Sequence, residues 1–471
     1  MLLSVPNEIL NRVALEADSQ TRRHLRSTCQ LLRDVATPLV FESVNIDLSS
    51  MLHSSSAPIF LKSLNSGPKL AQHIIRLSLY LPTKFRLHPS WFALRESTLH
   101  SLDVLFLHAI PSMVSLKSLC WRSSGESGPN YAELVFELFG NLPLLSSLQI
   151  YNDGHWDIPL SPFRHIRHIS YRGQRSSELI TFLGYNPDIE SIDAHVWCSG
   201  PDVDERGSIS LLFSSLPTGT YSTVKTLSIG GEMFSELYAC EIPKLISHLR
   251  HLESLTMHIT IPDVFWDGLQ EHGICLVSLT YYDPSLALLS YLSSYTGLRE
   301  LSLNMLSASI DGNLHISSLL PTVITSNSSS LTTVHIEPHH GGAWCLDHPM
   351  LDALVLCRGL KSLHVCADET RVRVEENNVI DRILQASMTS WPNLWDLQIR
   401  VVPLADEAVK MATSQIHRRI LALRFAPLPP ERSRLQISTE FAAYAVKIHD
   451  RKNNIYAFEM QDLDYHGDKE S

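Results

Sequence analysis

Residues 298–303 read LRELSL, residues 360–365 LKSLHV and residues 394–399 LWDLQI. Each puts apolar side chains at its first, fourth and sixth positions, so the last two stand on one side of an extended strand and their neighbours on the other. The same hexad recurs as IIRLSL (74–79), LHSLDV (99–104), LKSLCW (116–121), LSSLQI (145–150), IRHISY (166–171), IESIDA (189–194), VKTLSI (224–229), LESLTM (252–257), LVSLTY (276–281) and LTTVHI (331–336), with FESVNI (41–46) as a further candidate. One such hexad arises readily by chance. Thirteen at a mean spacing of about 27 residues are the mark of a repeat array.

Between the hexads the apolar spacing changes to the helical period. Residues 131–143, 177–187, 284–295 and 378–388 carry it, and several of these segments end at Gly, Pro or Asn. A strand and a return helix of this length cannot bury their apolar faces alone. Stacked on copies of themselves they can. The competing readings are an ordinary α/β domain with several similar strands and a parallel β-helix; the helical return segments disfavour the second.

The array resembles the leucine-rich-repeat family over about residues 74–405. That resemblance implies an α/β solenoid with parallel strands on its concave face and helices on its convex face. Two features depart from the family pattern. Intervals between central apolar residues run from 17 (Leu102 to Leu119) to 35 (Ile192 to Leu227), and the Asn or Cys expected five residues after the central Leu is mostly missing, with Asp153 and Asp368 the nearest matches. Irregular turns are therefore expected.

The first 46 residues follow a different pattern. Val5-Pro6 precedes a helix with Ile9, Leu10, Val13 and Leu15, for which Asn7 is the expected cap and Glu8 suits the helix dipole. A second helix is expected over Ser19–Arg33, with Leu25, Cys29 and Leu32 along one stripe, and Pro38 is expected to end it. So short a segment makes little core of its own, and its spare apolar face asks for a partner. Val5-Pro6, Glu8-Ile9, Leu25-x-x-x-Cys29-x-x-Leu32-Arg33 and Pro38-Leu39-x-Phe41 together resemble an F-box, with Val5 in place of the usual Leu. The resemblance implies a substrate receptor of a cullin-RING (SCF-type) ubiquitin ligase, docked on a Skp-family adaptor through Val5, Pro6, Ile9, Leu25, Cys29 and Leu32. The chain would then be non-catalytic, with catalysis in partner subunits. The other reading makes residues 1–46 a cap on a repeat scaffold. The chain thus divides into 1–46, a connecting segment 47–73, repeats 74–405, and a C-terminal cap with acidic tail 406–471.

Length, 471 residues, and 44% hydrophobic content suit a large folded body and exclude a disordered chain. A net charge of −11 opposes nucleic acid as the main partner. Eight cysteines form no CxxC pair, no apolar run is long enough for a membrane helix, and the N-terminus lacks a basic leader, so a cytoplasmic or nuclear protein is expected. No phosphate loop, dinucleotide fingerprint or nucleophile elbow occurs, and no cofactor is expected.

If the repeats bind a protein, the outward strand positions are the candidates. The residue before the central apolar one is Ser or Thr in nine of thirteen copies, which suggests packing between strands. The residue three after it varies: Arg122, Tyr151, Arg172, His195, His258, Tyr282, Asn304, Glu337 and Arg400. Arg, Tyr and His suit a recognition surface, although outward positions are polar in any solenoid. His335, His339, His340, Cys345 and His348 could supply zinc ligands in number, but not at a recognised spacing. The basic run Thr21–Arg26 reads as a solvated helix face.

Overall fold

A computed structural model describes residues 5–47, 56–66, 68–81, 104–123, 132–154, 156–173, 177–196, 212–216, 220–231, 241–305, 313–372, 378–402, 406–425, 435–440, 442–450 and 455–461. By its internal contacts the chain divides into two units: residues 1–237 with 247–249, and residues 238–246 with 250–471.

The first unit opens with helices α1 (Asn7–Glu16), α2 (Ser19–Thr28) and α3 (Gln30–Phe41) and continues in strands β1 (Ser43–Asp47), β2 (Arg76–Leu81), β3 (Ser118–Ser123), β4 (Ser147–Asn152), β5 (His168–Gly173), β6 (Ser191–Val196) and β7 (Thr226–Gly230). All neighbouring pairs are parallel. Their register joins Val44, Leu77, Leu119, Leu148, Ile169, Ile192 and Leu227 into one row across the sheet. Every member is less than a tenth exposed, and a second buried row two residues on (Ile46, Leu79, Trp121, Ile150, Tyr171, Ala194, Ile229) lies beside it. Full burial of one such aliphatic side chain contributes about 1.5–3 kcal/mol, an upper figure because the unfolded chain is already partly collapsed.

Return helices cover this buried face. In Ala132–Gly140, Phe136 lies 4.7 Å from the Trp121 ring and meets Phe163 edge-on at 5.5 Å. Gly140 ends that helix where a Cβ would stand 2.6 Å from the Pro162 carbonyl oxygen, so no larger residue fits.

The second unit holds β8 (Ser254–Met257), β9 (Ser278–Tyr281), β10 (Glu300–Met305), β11 (Thr333–Pro338), β12 (Ser362–Asp368), β13 (Asp396–Val402) and β14 (Gln436–Ser438), all parallel. An antiparallel hairpin, β15 (Ala443–Asp450) and β16 (Ile455–Gln461), completes the sheet on the β14 side. Helices Asp263–Glu271, Leu286–Ser293, Asn313–Ser326 and His348–Val355 pack in sequence against one another. Trp266 sits among Phe265, Tyr281 and Tyr291, and the Trp391 indole donates to the Leu354 carbonyl at 2.9 Å. The architecture is therefore an α/β repeat with parallel strands in each unit.

Several expectations meet a different structure. LHSLDV falls, but for Val104, outside the described residues; β2 pairs directly with β3, and residues 104–109 are helical. Phe106, Ala109, Ile110 and Met113 are buried at helical spacing, which overrides the hexad. The expected helix over 19–33 breaks at Cys29, whose backbone is extended (φ −155°, ψ 169°). Helix α3 then runs through Pro38 instead of ending there. Pro38 gives the Asp34 carbonyl no amide donor, and the neighbouring Thr37 hydroxyl donates to Arg33 O at 2.6 Å. Finally, Pro6 rather than Asn7 stands at the N-cap of α1.

Turns lacking the family's regular ladder are held by buried asparagines at helix ends. Asn186 accepts from Ile166 N–H at 3.0 Å and donates to the carbonyls of Phe163 and Phe182. Asn327 does the same for Leu298, Leu292 and Val323. Each joins successive repeats through a fully satisfied amide.

Candidate functional site

Two surfaces carry the candidates. The first is the helical N-terminus. Its small core consists of Leu10 and Ala14 from α1 and Leu32 and Ala36 from α3. Asp18 caps α2 by accepting from Thr21 N–H at 2.7 Å, and Arg22 donates to Ala14 O (2.9 Å) and Leu15 O (2.7 Å), closing the carbonyl end of α1. Arg26 lies 4.9 Å from the Phe41 ring centroid. The basic run is therefore not simply a solvated face, because two of its arginines tie the helices together.

On the adjacent face of α1, Ile9 is 52% and Val13 55% exposed, beside exposed Pro6. Val5, Leu25 and Cys29 are half-buried, and Leu32 is buried in the helical core. Two apolar side chains one turn apart on an exposed face are not used by the chain's described residues.

The second surface is the outward side of the strands. In the first unit the position three after the central apolar residue forms one row by register: Asp47, Tyr80, Arg122, Tyr151, Arg172, His195. The Arg122 guanidinium stands 5.0 Å from the Tyr80 ring centre and 4.6 Å from that of Tyr151; Arg172 stands 5.4 Å from Tyr151. At the end of the row His195 approaches Asp193 at 3.4 Å, and a Cβ on Gly230 would meet its ring at 2.4 Å. Burial, the larger influence, and Arg172 lower the His195 pKa against the pull of Asp193.

The second unit orders the same columns differently. His258 and Tyr282 bring their rings to 4.4 Å, and Asn304 pairs with Glu337 by register. Arg400 reaches past Cys366 to bond Glu337 Oε2 at 2.8 Å. One column over, the His335 and His364 rings stack at 3.8 Å. His364 Nε2 lies 2.7 Å from Asp396 Oδ2, and its Nδ1 lies 3.7 Å from Glu337, a distance for ion pairing rather than hydrogen bonding. Burial opposes the charge on His364, but the two carboxylates outweigh it and raise its pKa to about 9. Burial and the neighbouring His364 charge lower that of His335. His364 in turn holds the carboxyls of Glu337 and Asp396 below their usual range.

Ser362, His364 and Asp396 together have the composition of a nucleophile relay but not its geometry. Ser362 donates to Asp396 at 2.8 Å, and the same nitrogen of His364 faces both residues. The Ser and Thr positions before the central apolar residue also do more than pack: Ser278 donates to Glu300 at 2.9 Å, as Ser362 does to Asp396.

The residues of the His-rich segment 335–348 are not gathered. His335 stacks on His364, His348 Nδ1 lies 2.6 Å from the Arg382 guanidinium, and Cys345 is buried against Cys366 and Val402. Burial pushes the Cys345 thiol up to about 11 and that of Cys366 to about 12, far from the thiolate a metal needs. Among the described residues no group of three or more His, Cys, Asp and Glu is arranged to hold a metal ion. The six described cysteines are unpaired, and no described helix is long and apolar enough to cross a membrane.

Comparison with known proteins adds little. No family model matches the chain, and no curated protein does. Among solved structures it is similar to a chain of the crystal structure of the yeast Rad7 and Elc1 complex, with 15% identity over 87% of this chain and 84% of that one, at a TM-score of 0.35. That likeness is too distant to support fold or function, which rest on the register and packing described above.

Proposed function

We propose that the protein is the substrate-recognition subunit of a cullin-RING (SCF-type) ubiquitin ligase, working in a reducing compartment, the cytoplasm and/or the nucleus. Its N-terminal helices dock on a Skp-family adaptor, its repeats bind a target protein, and catalysis is left to partner subunits. The observation that carries this reading is α1. It uses Leu10 and Ala14 to hold the helices together and leaves Pro6, Ile9 and Val13 facing outward. A helix-on-helix contact anchored by a few apolar side chains is the type of interface an adaptor would make.

A second reading has its own support. Helix α3 leads directly into β1, Glu42 O accepts from the amides of Ile75 and Arg76, and the Glu42 carboxylate pairs with Arg76 at 2.7 Å. This is how a built-in cap on β2 would be attached, and the scaffold would then bind proteins without a ligase.

Co-expression with a Skp-family adaptor followed by size-exclusion chromatography separates the two. The truncated control should be residues 42–471, because removal of β1 would bare the edge of β2. The full chain is expected to elute as a one-to-one complex, and neither the truncation nor an Ile9→Asp/Val13→Asp variant should do so. These sites are exposed, so the variant tests docking rather than folding, which Leu32→Asp would not. A folded full chain without bound adaptor, or a truncation that retains it, would leave the scaffold reading.

A further inference from the structure

The row Tyr80–Arg122–Tyr151–Arg172 holds two guanidiniums against aromatic faces with no carboxylate on either, among the described residues. Its neighbours one column before it, Cys120, Gln149 and Ser170, are neutral; of the nearby carboxylates, Asp47 continues the row beyond Tyr80, Asp153 is exposed two residues after Tyr151, and Asp193 already accepts from Ser170 at 2.8 Å and faces His195. Arg122 and Arg172 are exposed. Stacking occupies the faces of a guanidinium and leaves its N–H edges to donate in pairs to a carboxylate or phosphate. The second unit neutralises its own outward charges, with Arg400 on Glu337 and His364 on Asp396. The first unit pairs Arg76 with Glu42 and both Arg167 and Lys225 with Glu190, but holds Arg122 and Arg172 on rings instead, in a chain whose net charge is −11.

We infer that this row binds an anionic peptide segment of the target, with acidic or phosphorylated side chains spaced to meet Arg122 and Arg172. The inference rests on the receptor reading and names the class of its substrate. Adjacent strands lie about 4.8 Å apart, so residues two strands apart in one row are separated by roughly 10 Å. A peptide crossing the strands as a polyproline II helix advances about 9 Å in three residues and returns the same side to the sheet. Anionic groups at i and i+3 therefore match the two arginines. Carboxylate and phosphate satisfy the same chemistry, and the test distinguishes them.

The test is fluorescence anisotropy with the full chain at about 0.15 M salt, where weak surface attraction is screened. Three labelled proline-rich peptides share one sequence, with phosphoserine, glutamate or serine at i and i+3. A single-stranded oligonucleotide is the fourth probe. Saturable binding of the phosphoserine peptide alone, or of both anionic peptides, supports the inference and identifies the anion; the serine peptide should not bind. Arg122→Gln and Arg172→Gln should each weaken binding about tenfold, the loss of one charge-assisted contact. Arg400→Gln should leave it unchanged. No saturable binding by either anionic peptide, equal loss in the Arg400 variant, or tighter binding of the oligonucleotide would overturn it. Adaptor co-purification is measured separately. Peptide binding without the adaptor sinks the ligase reading alone, and adaptor binding without the peptide sinks this inference alone.

Discussion

The outward strand faces of the two units are built from the same columns and finish as opposites. In the first, Arg122 and Arg172 rest on Tyr80 and Tyr151 and keep their N–H edges free of carboxylates among the described residues. In the second, Glu337, His364, Asp396 and Arg400 satisfy one another. The difference lies in which residues the register places side by side. Aromatic rings beside guanidiniums hold them without consuming their charge, whereas carboxylates beside cations consume both. A shared fold thus yields one surface suited to an incoming anion and one suited to holding itself together.

The largest effects should be common to both units, because the buried rows are equivalent. Leu148→Ala in β4 and Leu363→Ala in β12, both fully buried, are each expected to cost about 2–5 kcal/mol in chemical denaturation. A negligible loss at either would show that the rows are not equivalent cores.

The next effect should appear in one unit only. Asp396→Asn removes the anion that His364 and Ser362 share and should destabilise the second unit by about 1–3 kcal/mol. Asp193→Asn, at the edge of the first unit's row, should cost under about 1 kcal/mol. Equal losses would erase the contrast between the faces.

A pH titration sharpens the same point. The pKa of His364 lies above its ordinary 6.5, so its protonated form stabilises the fold fully below that pH, and the contribution fades as pH rises through about 9. Asp396 and Glu337 lie below their ordinary values, so their contribution is complete above about pH 4.5 and is lost on acidification. The melting temperature should fall between pH 7 and 9.5 by the equivalent of roughly 1–2 kcal/mol, discounted for the partial exposure of the pair. His364→Gln should flatten that slope; a slope that persists would have another source.

The smallest effect belongs to the open row. Arg122→Gln should change stability by no more than about 1 kcal/mol, the range of an exposed cation–π contact. A larger loss would mean that the row is structural.

How much of this was legible in the sequence depended on distance along the chain. Twelve of the thirteen hexads, and FESVNI before them, are strands, because period-two apolar residues report directly on a half-buried strand. Where LHSLDV ends, Phe106, Ala109 and Ile110 bury a helix, and no strand stands between β2 and β3. The varying column is legible as a list, but its ordering of Tyr and Arg into alternating contacts requires the register, which also brings in Tyr80, three residues after Leu77. The His335–His364 stack is invisible along the chain, where the neighbours of His335 are His339, His340, Cys345 and His348; its partners in space lie one and two strands away. In the N-terminal segment the apolar residues were legible, but their division into inward Leu10, Ala14 and Leu32 and outward Ile9 and Val13 depended on the break at Cys29.

The central claim is that the outward side of α1 docks an adaptor while the strand faces stay available to a target. Hydrogen exchange of the full chain with and without a Skp-family adaptor tests this directly. The account predicts slowed exchange across Asn7–Glu16 and Gln30–Phe41, with β3 to β6 and β10 to β13 unchanged. Protection of the strands with the helices unaffected would contradict it.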